Sequence, residues 1–171
     1  KGEQLSLPGL DGLIPKSISV LDWNKDGYTD VVLPFQNGDL ISMTLYGDLI
    51  DIQKMEIDGG PLSDIKITDF NQDSYDDLLL VSGDMNVLSV VYGDIGGMSG
   101  PSDYFTIEEA KEQEAQVFTA LPVSTQGIYM GTVIASGWDG YESTLFMVEI
   151  GKGPEPIRPE DVAEKIPDET V

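Results

Sequence analysis

Neither histidine nor cysteine occurs in the 171 residues. Their absence removes Ser-His-Asp and Cys-His triads, thiol chemistry, and zinc sites built on imidazole or thiolate. Disulfides are impossible, so cysteine usage says nothing about redox compartment. Basic residues are scarce, with 9 Lys and Arg against 31 Asp and Glu and a net charge of −22. No basic stripe exists to neutralise phosphates, which argues against nucleic acid. Docking on anionic lipid needs clustered Lys and Arg and is equally disfavoured. No apolar run approaches the ~18 residues of a membrane-spanning helix, and the first residues lack a signal-peptide pattern. The expectation is a chain already processed, or one cut from something longer.

What is present is enough apolar material for a core, 40% of the residues, together with 19 glycines. It is arranged as a repeat. Residues 22–30, Asp-Trp-Asn-Lys-Asp-Gly-Tyr-Thr-Asp, align without a gap on residues 69–77, Asp-Phe-Asn-Gln-Asp-Ser-Tyr-Asp-Asp. Their surroundings repeat as well. An alternating stretch precedes each (17–21 and 64–68), and a continuous apolar run follows (31–33 and 78–81). A turn signal comes next (36–38 and 82–84), and a further apolar stretch ends in Tyr46-Gly-Asp or Tyr92-Gly-Asp. The first motif is offset by 47 residues and the last by 46.

Short runs of Val, Ile, Leu and Tyr bounded by Gly, Asn or Asp are strands joined by tight turns. No window before residue 105 sustains a helical period. Each repeat reads as four antiparallel strands, with residues 50–57 and 104–107 as the fourth strands. Four strands in about 40–50 residues is the size of a β-propeller blade. A degenerate third copy is expected from residues 116–121, 128–135 and 143–150. Its turn is at 137–140, and its first loop, 122–127, is free of carboxylates. Residues 108–114 tolerate a helix between units. The expected organisation is an N-terminal strand or linker over 1–13, blades over 14–60 and 61–108, and a degenerate blade over 109–151. A proline-rich acidic tail covers 152–171. The fold class is therefore all-β, with about three blades of four antiparallel strands. Three units are too few to close a ring.

The acidic loops carry the chemistry. Oxygen donors at positions 1, 3, 5 and 9, with a backbone carbonyl at 7, suit a hard cation. Ca²⁺ takes six to eight oxygens at ~2.3–2.6 Å and tolerates irregular geometry. The first set is Asp22, Asn24, Asp26 and Asp30 with the Tyr28 carbonyl. The second is Asp69, Asn71, Asp73 and Asp77 with the Tyr75 carbonyl. Gly27 stands where the chain must turn sharply; Ser74 replaces it in the second loop, where strain is expected. An EF-hand or dockerin loop needs a carboxylate at position 12, occupied here by Leu33 and Leu80, and is rejected.

The loop pattern followed by Val31-Val-Leu, with the later Tyr-Gly-Asp element, resembles the FG-GAP/VCBS repeat of integrin-α-like β-propellers. The resemblance covers residues 14–108 well and 116–151 weakly. It implies blades whose acidic loops, joining the first two strands, hold Ca²⁺, hence two bound ions. The expected function is non-catalytic: a Ca²⁺-stabilised module for extracellular binding, adhesion or assembly. Sites of this kind are often weak, with Kd ~10⁻⁴–10⁻³ M, which points to an extracellular or periplasmic location. The alternatives are an accessory part of a secreted polysaccharide-degrading enzyme, with carbohydrate as ligand, and a structural subunit of a larger extracellular complex. No catalytic constellation is readable among so many carboxylates. An open blade calls for a protein partner, further blades, or a second copy of the chain. Trp23 and Phe70, at the same loop position, are expected to pack between blades. Trp138 and Tyr141 are expected to be exposed, and the six Met residues to fill the core.

Overall fold

The computed structural model describes residues 12–46, 49–57, 60–94, 97–126 and 128–151. The expected strand within residues 1–13 and the tail 152–171 lie outside them. The described residues form three antiparallel sheets. Sheet 1 runs β1 (Ser19–Leu21), β2 (Thr29–Pro34), β3 (Asp39–Tyr46), β4 (Leu49–Glu56) in that spatial order. Sheet 2 repeats it with β5 (Asp64–Thr68), β6 (Asp77–Ser82), β7 (Val87–Asp94) and β8 (Gly97–Thr106). After a short helix, α1 (Glu108–Glu112), sheet 3 contains β9 (Gln116–Thr125), β10 (Ile128–Trp138) and β11 (Ser143–Glu149). Each sheet is a meander with its strands in chain order. Among the described residues the third sheet has three strands rather than four, and the sheets are not closed into a ring.

Two apolar junctions join the sheets in series. Between sheets 1 and 2, Trp23, Val32 and Leu40 meet Ile65, Leu78, Leu80 and Val91. Between sheets 2 and 3, Leu79, Val81, Leu88 and Val90 meet Val117, Ala120, Tyr129, Val133 and Phe146. Sheet 2 is thus covered on both faces. That is why β6 is buried at every position and its centre, residues 78–81, is a continuous apolar run, where a half-exposed strand would alternate. Trp23 and Phe70 each sit in a junction, as their loop positions imply; Phe70 meets the Tyr129 ring edge-on at 4.5 Å. A polar tie supplements the second junction: Asp64 of β5 accepts from Lys66 Nζ at 2.7 Å and from Thr119 Oγ1 of β9 at 2.5 Å.

Three expectations need correction. The segment 122–127 is not a long loop, since β9 continues to Thr125 and pairs with Ile128. Pro122 fits because β9 lies at the edge of its sheet, beside a bulge between Tyr129 and Val133 where Gly131 adopts φ +83°. The shared Tyr-Gly-Asp element does not mark equivalent ladder positions. Val31 faces Met43 whereas its counterpart Leu78 faces Val91, so the third strand is displaced by 48 residues, not 46. The cause is one extra residue in the second hairpin, between Val81 and Leu88, compared with Pro34 and Leu40. The methionines are not uniformly core: Met43 is buried, while Met85, Met130 and Met147 are exposed. Met is flexible and unbranched and serves in cores and at contact surfaces alike, so its presence in a strand does not say which face it takes.

Candidate metal centre

The two acidic loops join the first and second strands of sheets 1 and 2, and most of their internal hydrogen bonds match; Asp73 N also donates to Asp69 Oδ1 at 3.1 Å, a bond without counterpart at Asp22. Asp22 Oδ2 accepts from Gly27 N (3.1 Å), and Asp69 Oδ2 accepts from Ser74 N (3.0 Å). Asn24 Oδ1 accepts from Asp26 N and Asn71 Oδ1 from Asp73 N, each at 3.2 Å. Asp26 Oδ1 accepts from Tyr28 N and Asp73 Oδ1 from Tyr75 N, each at 2.8 Å. The position-3 amides donate to position 5, Asn24 to Asp26 at 3.0 Å and Asn71 to Asp73 at 2.9 Å. Two left-handed residues bend each loop, Lys25 and Gly27 in one, Gln72 and Ser74 in the other. Short Asp and Asn side chains suit this work because they cap backbone N–H groups a few residues ahead.

Position 9 closes the loop from below. Asp30 Oδ2 accepts from Trp23 N at 2.8 Å, and Asp77 Oδ2 from Phe70 N at 2.6 Å. The other oxygens differ: Asp30 Oδ1 takes the Thr44 hydroxyl (2.5 Å), and Asp77 Oδ1 takes the backbone N–H of Gly93 (2.9 Å). Both carboxylates are buried. Burial pushes Asp77 up to about 7 against the opposing hydrogen bonds from Gly93 and Phe70, and the charges of Asp73 and Asp69 push the same way.

Among the described residues no group of three or more acidic side chains is gathered as a cage. The hydrogen bonds give the reason: the carboxylate oxygens are turned onto loop N–H groups. The donor set nevertheless fits a hard cation. Asp22 Oδ1 is buried and has no hydrogen-bond partner among the described residues, while its Oδ2 is anchored on Gly27 N. A half-tethered carboxylate with one orphaned oxygen needs a cation or a donor to offset its desolvation. Asn24, Asp26 and the Tyr28 carbonyl belong to the same turn, and the hydrogen-bonded oxygens of Asp30 keep a second lone pair. Asn71, Asp73, the Tyr75 carbonyl and Asp77 repeat the donor types in the second turn, but both Asp69 oxygens already accept, from Asp73 N and Ser74 N, so that loop has no orphaned oxygen at position 1.

Four participants were not legible in the sequence. Thr44 and Gly93 bind the position-9 carboxylates from neighbouring strands, and Lys25 of the first loop reaches Asp76 of the second at 3.7 Å. The orphaned oxygen of Asp22 is the fourth. Among the described residues the third sheet has no equivalent loop, since Thr125 of β9 already pairs with Ile128 of β10. Trp138 and Tyr141 flank the β10–β11 turn and are exposed. Compared with models of known protein families and with curated protein sequences, the chain matches none.

Proposed function

We propose that the chain is a non-catalytic, Ca²⁺-stabilised repeat module of the FG-GAP/VCBS type. In this reading its sheets are propeller-type blades, and it works outside the cell or in a periplasm by binding a protein partner or a further sheet. The observation that carries the reading is the shared conformation of the two acidic loops, set by matching hydrogen bonds, with an orphaned carboxylate oxygen at Asp22. A cation would recruit the free oxygen of Asp22 and offset the burial of Asp30 and Asp77. At −22 it would also relieve part of the chain's self-repulsion. The partner side rests on the outer face of sheet 3, where Leu121, Ile134 and Met147 stand in one cross-strand row and are exposed.

Calorimetric titration of chelator-treated protein tests the metal reading. Two Ca²⁺ sites are expected, with Asp26→Ala and Asp73→Ala each removing one. No site at all, or selective Mg²⁺ binding, sinks it.

A second reading, an accessory module of a polysaccharide-degrading enzyme, is favoured by one observation. Trp138 and Tyr141 expose aromatic surface beside a turn pinned by Asp139, which accepts from Tyr141 N and Glu142 N. Retention on an insoluble polysaccharide that is lost in Tyr141→Ala would support it, and no retention on any tested polysaccharide would set it aside.

A further inference from the structure

The two loops are not independent. Trp23 belongs to the first loop, yet its side chain is spent on the second. Its backbone N–H is fixed on Asp30 Oδ2, so closure of the first loop sets where the ring begins. The ring is 1% exposed and lies in the junction between sheets 1 and 2, and its Nε1 has no hydrogen-bond partner among the described residues. It lies against Gly93. A Cβ placed there would stand 2.5 Å from Trp23 Nε1 and 2.6 Å from Cδ1, and would also strike the carbonyl of Asp76. Only a bare backbone fits between the indole and the second loop. The N–H of that same Gly93 is held on Asp77 Oδ1, the position-9 carboxylate of the second loop. Lys25 adds a second bridge through Asp76.

We infer that Trp23 is a positioning residue for the second metal loop. Through Gly93 it fixes Asp77, so that a cation in the first loop raises the affinity of the second. The inference rests on the proposed metal reading. A cation on Asp22, Asn24, Asp26 and Asp30 immobilises the loop that anchors the Trp23 N–H, and with it the indole. The indole wedge limits where Gly93, and hence Asp77, can move. Ordering that the first ion has already produced need not be produced again by the second, which is a coupling free energy and therefore reciprocal. Asp30 is tied instead by the Thr44 hydroxyl of β3, so the indole link joins the first loop to the second, and the coupling it carries acts in both directions. Phe70 repeats the insertion into the next junction against Tyr129, where the described residues hold no acidic loop to receive it.

The test is a double-mutant cycle read by Ca²⁺ calorimetry on the full chain. Asp26→Ala removes a ligand from the exposed part of the first loop. The remaining site is expected to weaken about fivefold or more, the range typical of coupled sites. Asp73→Ala should weaken the first loop by the same factor. Trp23→Phe keeps an aromatic in the junction, as Phe70 does naturally, but withdraws the indole edge from Gly93. It should weaken the second loop similarly, and the Asp26→Ala/Trp23→Phe pair should be no worse than either alone. A merely structural role of Trp23 predicts additive losses instead. Should Trp23→Phe unfold the chain, Trp138→Phe leaves Trp23 as the sole tryptophan. Its emission in Asp26→Ala/Trp138→Phe must then titrate with Ca²⁺. Two sites whose affinities ignore each other, additive losses, or a silent Trp23 would each overturn the coupling while leaving the metal reading intact. An absence of any Ca²⁺ heat in the unmutated chain would overturn the metal reading and the coupling with it.

Discussion

Gly27 and Ser74 occupy the same left-handed corner of their loops, at φ +88° and +77°, and receive the same carboxylate, Asp22 Oδ2 on one N–H and Asp69 Oδ2 on the other. Sequence places a residue without a Cβ at one of these corners and a serine at the other. An L-residue in this region costs roughly 1–2 kcal/mol. The second loop therefore holds the shape of the first under strain.

Ser74→Gly is expected to stabilise the metal-free protein. The gain is about 0.5–1 kcal/mol, because relief of the left-handed strain outweighs the extra unfolded-state freedom of glycine. Ca²⁺ affinity of the second loop should rise modestly in parallel. Chemical denaturation with and without chelator reads both. A lower denaturation midpoint, or weaker Ca²⁺ binding, would mean that the serine hydroxyl supports the loop and that the strain argument fails.

The strands and loops were legible because their physics is local. Alternation in 17–21 and 64–68, the continuous run 78–81, and Asp and Asn spaced for capping each specify backbone conformation within a few residues. What escaped depends on distant partners. Nothing near Asp77 announces that Gly93 will bind it, and nothing near Asp30 announces Thr44. The Tyr-Gly-Asp likeness misled because a single added hairpin residue moves the ladder without disturbing composition. Pro122 reads as a loop residue until its strand is known to lie at a sheet edge beside a bulge.

The junction between sheets 2 and 3 contains one avoidable cost. Tyr129 is wholly buried, its hydroxyl has no partner among the described residues, and burial raises the phenol well above its ordinary value. Tyr129→Phe keeps the edge-on contact with Phe70 and deletes the unsatisfied group. It should stabilise the chain by about 1 kcal/mol. A loss of stability on thermal or chemical denaturation would reveal that the hydroxyl is paired in solution.

Acid sensitivity has a named source in sheet 1. Asp39 is 4% exposed; burial pushes its carboxyl up, but the Lys54 ammonium at 2.7 Å and the Asn37 amide at 2.6 Å outweigh it, leaving the group below its usual 3.8. A folded-state value below the unfolded one contributes stability above about 3.8 that disappears as pH falls through the lower, folded value. Lys54→Met should therefore cost about 1 kcal/mol at pH 6, discounted because Lys54 is half exposed. The difference from the unmutated chain should shrink below pH ~3.8. A difference that persisted undiminished in acid would show that Lys54 acts through packing of its stem rather than through its charge.

The outer face of sheet 3 sets how the molecule behaves in solution. Leu121, Ile134 and Met147 are direct cross-strand partners on β9, β10 and β11, and they remain 58%, 37% and 76% exposed; Phe118 and Leu145 extend the patch. Both faces of sheet 2, in contrast, are covered by its neighbours. Contiguous apolar surface of this kind on a sheet with an open edge strand draws another sheet onto it. The purified chain in millimolar Ca²⁺ is expected to self-associate with rising concentration and to bind a dye specific for apolar surface. Leu121→Lys with Met147→Lys should abolish both and leave the thermal midpoint nearly unchanged, because these side chains are mostly exposed and stand two strands apart rather than directly opposite. Sedimentation velocity separates the outcomes. A monodisperse monomer without dye binding would remove the support for a partner on this face, and association that survives the two lysines would move the contact to another surface.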